Sequence, residues 1–200
     1  MSDIENEKKT GRKLYTGILS RYAEMWRISE IKKYVQGDAI LDLGCGYGKL
    51  STYFIKETYF GVDVNPHALG KAKEKYGSLN STQFLTLEEF NQTSELFDTI
   101  ILAAVIEHLH DPISLLLSMK KRLKTEGIII LTTPSHIANN IHKYGAKINL
   151  FSQGAADEHV KIYSEKDLSI LSQSIGMDMV LYRKFVFGLN QIVIFKKMTR

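Results

Sequence analysis

The segment Asp42-Leu43-Gly44-Cys45-Gly46-Tyr47-Gly48 sets three glycines at alternate positions directly after a short apolar run, Ala39 to Leu43. Glycines at the carboxyl end of a strand let the backbone turn tightly and approach a ligand, while a helix start beyond them offers unpaired amides. That much implies a nucleotide-like ligand. The spacing is more selective. A dinucleotide fingerprint has the form G-x-G-x-x-G, whereas this loop reads G-x-G-x-G, with Lys49 where the third glycine would fall. A P-loop needs a Lys-Ser/Thr pair at a set distance from its glycine, and that pair is missing.

Two carboxylates flank the loop. Asp63 ends the second apolar run, Tyr59 to Asp63, where it can accept both hydroxyls of an adenosine ribose. Asp42 stands immediately before the glycines. A phosphate there would face a like charge in a partly dry site, whereas a cationic amino group or a sulfonium would be favoured. The pair therefore points to a cofactor that contains adenosine and carries positive charge.

The candidates for proton transfer are histidines. His108 follows the fourth apolar run, at the edge where a reacting group would sit, and an imidazole tuned near neutral pH can take a proton from an alcohol or phenol. It can equally fix the loop structurally. His159, in Asp157-Glu158-His159-Val160, is the second candidate, with a surface histidine beside two acids as the ordinary alternative. His110, His136 and His142 have only their location in favour of a role. Glu107 reads as well as a loop-ordering acid as it does as a substrate contact. Cys45 is explained by the need for a small side chain inside the loop. Tyr15, Tyr22 and Trp26 could roof the cofactor or substrate, although aromatics at helical spacing are more often core.

These residues need a scaffold, and apolar runs alternating with amphipathic stretches predict an α/β domain with a parallel sheet. The expected strands are Ala39 to Leu43, Tyr59 to Asp63, Thr82 to Leu85, Phe97 to Ala104 and Gly127 to Thr132, followed by a hairpin of Met179 to Phe187 and Gln191 to Phe195. Helices are expected near Lys49 to Lys56, from Asn65-Pro66 to about Tyr76, from Asp111-Pro112 through Leu123, and from the capping-box sequence Ser164 to Asp167 up to Ile175. One or two helices precede the sheet, so residues 1–36 form an N-terminal helical cap. Between residues 134 and 163 the alternation lapses, as expected of a substrate lid inserted over the site. The whole of 1–200 reads as one domain.

Composition sets outer bounds. The chain has 200 residues, 44% hydrophobic and 24% charged, which suffices for one core. A net charge of +4 with only short basic runs gives no support for nucleic-acid binding. One cysteine excludes an intramolecular disulfide, and the charged N-terminus lacks the apolar core of a secretory signal. No apolar stretch approaches a transmembrane span. A cytoplasmic location is expected.

Taken together, the chain from Asp38 to Phe195 resembles the class I S-adenosylmethionine-dependent methyltransferases. The acidic glycine loop matches Asp42 to Gly48 and the ribose acid matches Asp63. Phe97-Asp98-Thr99-Ile100-Ile101, Val105 to Pro112 and Leu123 to Gly127 follow in the family's order. Glu107-His108-Leu109-His110-Asp111-Pro112 is similar to the segment of the subgroup that contains ubiquinone-type O-methyltransferases and many small-molecule and sugar methyltransferases. The resemblance implies a Rossmann-like, doubly wound seven-stranded sheet, mostly parallel with an antiparallel last strand. It implies S-adenosylmethionine as cofactor and S-adenosylhomocysteine as product, held by Asp42, Gly44, Cys45, Gly46, Gly48, Asp63, Val64 and Ala103.

Two positions depart from the family's pattern. Some relatives bind magnesium through a Glu three residues before the Glu-His pair; here that residue is Ala104, so no metal is expected at Glu107 and His108. The acid that often meets the adenine is not evident after the third strand, where Thr86 and Leu87 stand and Glu88 is the substitute. The function expected is methylation of a small molecule, sugar or lipid-linked precursor at oxygen by in-line displacement. A non-catalytic S-adenosylmethionine-binding module and a nicotinamide-dependent oxidoreductase are the alternatives.

Overall fold

A computed structural model describes residues 18–79, 81–137 and 160–197. Seven strands form one sheet: β1 (Ala39–Leu43), β2 (Thr58–Val62), β3 (Thr82–Leu85), β4 (Phe97–Ala103), β5 (Leu123–Pro134), β6 (Met177–Phe185) and β7 (Asn190–Lys197). Their order is β3-β2-β1-β4-β5-β7-β6, with parallel pairing from β3 to β5 and antiparallel pairing of β7 to both neighbours. The direction of winding reverses between β1 and β4, and in open α/β sheets ligands settle at the carboxyl ends of the strands on either side of such a reversal.

Helices cover both faces, which is why the central strands carry nearly continuous apolar runs rather than alternating ones. One face of β1 and β4, with Ile40 and Ile101, packs under α1 (Ile18–Ile31) and α2 (Pro66–Tyr76) through Ile28, Ile31, Leu69 and Ala72. The other face, with Leu41, Ile100 and Leu102, packs against α3 (Leu87–Asn91), α4 (Pro112–Lys121) and α5 (Glu165–Ser174) through Phe90, Leu116, Met119 and Leu168.

The helix starts follow their capping chemistry. Asn65 accepts from the amides of His67 and Ala68, and Asp111 from that of Ser114, each with proline at the first helical turn. Ser164 and Asp167 bond reciprocally, so the shorter Asp does serve in place of Glu or Gln.

Four local expectations are corrected. The turn after the glycine loop is a single 3₁₀ stretch, Lys49–Tyr53, rather than a helix to Lys56. Leu123 does not extend α4; it begins β5 opposite Phe97, and a bulge with Glu126 at φ 64° separates it from the regular ladder. β6 stops at Phe185, because Val186 and Phe187 take left-handed conformations (φ 51° and 54°) in a turn pinned where the Ser135 hydroxyl donates to the Gly188 carbonyl at 2.6 Å. The short helix α3 was not anticipated, although Thr86 and Glu89 form a complete capping box.

Candidate functional site

Gly44 begins where β1 ends, and its amide donates to the Val62 carbonyl of β2 at 2.7 Å. Gly44, Gly46 and Gly48 have φ of 82°, 53° and 72°, a region L-residues with a Cβ enter only with strain. Space adds a second constraint at two of them. A Cβ on Gly44 would lie 2.6 Å from the Val105 side chain, and one on Gly48 would lie 2.6 Å from Phe84. Among the described residues nothing lies within 4 Å of a Cβ on Gly46. The outer two glycines thus let the loop lie close to Val105 just past β4 and to β3 and α2, and the middle one leaves its backbone open to a ligand.

Asp63 closes this loop. Its Oδ2 accepts the Gly46 amide at 2.7 Å and its Oδ1 accepts that of Asn65 at 2.8 Å. The half-buried carboxylate therefore sits over the loop with lone pairs still available, since each oxygen offers about two. Val64, next to it, is 78% exposed, so an apolar surface lies bare beside the acid.

Asp42 stands near the end of β1, at the carboxyl-end crevice where the winding reverses, and it is buried. The Tyr59 hydroxyl donates to its Oδ2 at 2.5 Å, while Oδ1 is buried with no hydrogen-bond partner among the described residues. Burial, opposed by the Tyr59 bond and helped by the charge of Asp63, pushes its carboxyl up to about 7. Tyr59 was not anticipated as a site residue. Its place follows from register: it lies opposite Ile40, which shares a face of β1 with Asp42, and a buried tyrosine needs a partner for its hydroxyl.

Cys45 is half-buried, and burial followed by the charges of Asp42 and Asp63 pushes its thiol upward, which suits a small packing residue and disfavours a nucleophile. Ala103 ends β4, and Ala104 takes a left-handed turn (φ 59°) that brings Val105 over Gly44. Glu88 is exposed in the first turn of α3, next to the strand end that carries Leu85.

Beyond β4 the structure separates the two residues of the Glu-His pair. Glu107 is fully buried and neither of its carboxylate oxygens has a hydrogen-bond partner among the described residues; His108 is exposed. Burial pushes the Glu107 carboxyl above its ordinary range, against the nearby charges of His108 and Arg27. The Glu107 carbonyl accepts the amides of Val160 and Lys161 at 2.8 and 3.2 Å, which fastens the returning chain to this edge.

His110 and His136 are exposed; Tyr15, His142 and His159 lie outside the described residues. So does most of the expected lid. Tyr22 and Trp26 are about half exposed rather than core, their rings 6.4 Å apart, and Trp26 meets Phe187 edge-on at 6.3 Å. Among the described residues no group of three or more His, Cys, Asp or Glu side chains could hold a metal, and no helix is long and apolar enough to cross a membrane.

Residues 15–182 match the methyltransferase-domain family. The ubiquinone biosynthesis O-methyltransferase of Actinobacillus pleuropneumoniae serotype 5b is 35% identical over 107 residues, 48% of this chain and 46% of that protein. The protein of the same name from Cereibacter sphaeroides strain ATCC 17029 is 31% identical over 162 residues, 76% of this chain and 65% of its own length. The chain thus spans about half to two thirds of the length of these curated relatives. Among solved structures, the magnesium protoporphyrin IX methyltransferase of Synechocystis PCC 6803 with bound SAH superposes with TM-score 0.68 at 16% identity, covering 89% of this chain and 85% of that one. An SAM-dependent methyltransferase of Methanosarcina mazei gives 0.62 at 22% identity, covering 86% and 98%. These two share the fold.

Proposed function

The chain belongs to the class I S-adenosylmethionine-dependent methyltransferases, and on that footing we propose that it methylates an oxygen of a small hydroxylated molecule by in-line displacement. The observation that carries the reading is the crevice between Asp42 and Asp63. A buried carboxylate oxygen without a partner, an open backbone at Gly46 and a ribose-ready acid fit the amino, sulfonium and adenosine parts of the cofactor in turn. When bound, S-adenosylmethionine supplies a methyl group on a positively charged sulfur.

The residues have distinct tasks. Asp42 neutralises the amino end, and Asp63 takes the ribose hydroxyls while holding the loop through Gly46. Gly44, Cys45, Gly48 and Ala103 shape the walls, Val64 offers an apolar bed for the adenine, and Glu88 stands at the adenine edge. Displacement at a sulfonium disperses charge, so orientation and exclusion of water supply much of the rate without a metal. An alcohol must also lose its proton, and His108, exposed beside the Glu107 carboxylate, is the proposed acceptor. His159 is the second candidate. Relatives at 31% and 35% identity are named O-methyltransferases, which supports the choice of oxygen as the acceptor atom.

Transfer of labelled methyl from S-adenosylmethionine to a panel of phenols, alcohols and amines tests this. Product confined to the hydroxylated members is expected. Methylation of amines alone would overturn the oxygen assignment, and cofactor binding without turnover of any member would favour a binding module.

A further inference from the structure

Glu107 is the one fully buried carboxylate among the described residues that meets no partner through either oxygen. Its surroundings are unusual in the same way. Arg27, on α1, presents a buried Nε with no hydrogen-bond partner, and Thr133, near the end of β5, has an unpartnered buried hydroxyl. The Thr133 hydroxyl lies beside the Glu107 carboxylate without meeting it in hydrogen-bond geometry, and the Arg27 charge acts on it as well. A buried polar group left unpaired costs about 1–3 kcal/mol, and more when it is charged. Three such groups gathered between α1 and the end of β5 therefore make a polar notch whose hydrogen-bonding capacity its own side chains leave unfilled.

The notch lies next to the cofactor crevice. Glu107 follows Val105, which packs on Gly44, by two residues. On the opposite wall, Glu24 of α1 pairs with Lys49 just past the glycine loop at 2.8 Å, and Arg27 stands one helical turn further along the same face of α1. The helix thus bridges the cofactor loop on one side and Glu107 on the other.

We propose that Glu107 is the acceptor-reading residue: its carboxylate takes a hydrogen bond from a hydroxyl of the methyl acceptor, with Arg27 and Thr133 holding the remaining polar atoms of that group. A hydroxyl completes the notch because it gives a proton to Glu107 and accepts from the Arg27 Nε–H or the Thr133 hydroxyl at once. A methyl ether of the same shape has no proton to give and leaves the carboxylate buried and unpaired, a penalty that hydrogen-bonding sites use to reject analogues. This inference rests on the methyl-transfer reading above.

The test is calorimetric and needs no turnover. S-adenosylhomocysteine is first titrated into wild type, which checks the methyl-transfer reading on its own. The loaded protein is then titrated with phenol, catechol and benzyl alcohol, each against its own methyl ether. Wild type is expected to prefer at least one hydroxyl form by tenfold or more, and Glu107→Leu to reduce that preference below threefold. Glu107→Leu also removes a buried carboxyl that lacks hydrogen bonds, so its melting temperature should not fall and its affinity for S-adenosylhomocysteine should stay within twofold. Glu107→Gln, which keeps one acceptor oxygen, should fall between. Equal binding of alcohol and ether by wild type, no binding of any probe, an undiminished preference in Glu107→Leu, or unfolding of that variant would each overturn the proposal, the last by showing that Glu107 is structural. Failure of S-adenosylhomocysteine to bind wild type would strike instead at the reading beneath it.

Discussion

Asp63 Oδ2 accepts the backbone amide of Gly46 at 2.7 Å, so the acid expected to hold the ribose also fixes the loop expected to hold the rest of the cofactor. Asp63→Asn should therefore act twice. The amide cannot accept at both oxygens, which leaves either the Gly46 or the Asn65 amide facing a donor and costs about 1–3 kcal/mol in stability. Affinity for S-adenosylhomocysteine should fall at least tenfold. Thermal melts with and without the nucleotide measure both effects; a change in affinity with no change in the unliganded melt would show that the loop does not depend on this bond.

In the proposed role, Asp42 should make cofactor binding depend on pH. With the folded-state carboxyl at about 7, above the ordinary value, the stability it contributes is fully present below the unfolded range and is lost as pH rises through about 7. The unliganded protein should accordingly lose on the order of 2–4 kcal/mol between pH 4 and 8 from this group, and Asp42→Asn should remove that part of the slope. A cationic amino group brings the value back down, so binding near pH 6 should release a proton. Calorimetry in buffers of different ionisation enthalpy reads this; a proton count of zero at pH 6 would refute it.

Gly48 and Gly46 should respond differently to alanine. At Gly48 a methyl meets the Phe84 ring at 2.6 Å and Ala72 at 2.9 Å in a left-handed conformation, so Gly48→Ala should destabilise the fold by about 2–4 kcal/mol. At Gly46 the space is open and only the backbone strain remains, about 1–2 kcal/mol. Gly46→Ala should stay folded while losing nucleotide affinity. Urea melts and nucleotide titrations on the two variants distinguish packing from binding, and equal destabilisation would contradict the difference.

The cap of α5 carries a separate expectation. Ser164 and Asp167 bond reciprocally, and the hydrogen bonds from Ser164 hold the Asp167 carboxyl down at about 2. Ser164→Ala should cost about 1 kcal/mol. Because the folded-state value is depressed, the contribution is present above the unfolded carboxyl range and disappears as pH falls towards 2. Urea melts at pH 6 and pH 2.5 should show the difference between wild type and variant shrinking at the lower pH; a constant difference would contradict the assignment.

The strands and helix starts were legible because each rests on local chemistry: an apolar run buried on both faces, or a side chain capping its own helix at Asn65, Asp111 and Ser164. Leu123 misled because its apolar side chain continues the helical spacing of α4, while the bulge at Glu126 that turns it into β5 leaves no mark in that spacing. The loop from Asp42 to Gly48 was readable for the same local reasons, its glycines being required by conformation. The Tyr59–Asp42 bond and the gathering of Arg27, Glu107 and Thr133 were not, since cross-strand register and helix docking bring these residues together from distant parts of the sequence. His108 and Glu107 are adjacent in sequence, yet one is exposed and the other buried, on the 3₁₀ turn Ile106–His108 that follows β4.

The most direct measurement is a titration of wild type and Asp63→Ala with S-adenosylhomocysteine, and of wild type with NAD⁺. Binding of S-adenosylhomocysteine to wild type, at least thirtyfold weaker binding to Asp63→Ala, and no binding of NAD⁺ are the expected results. Binding of NAD⁺ in place of S-adenosylhomocysteine, or an Asp63→Ala variant that binds as well as wild type, would contradict the assignment of this crevice.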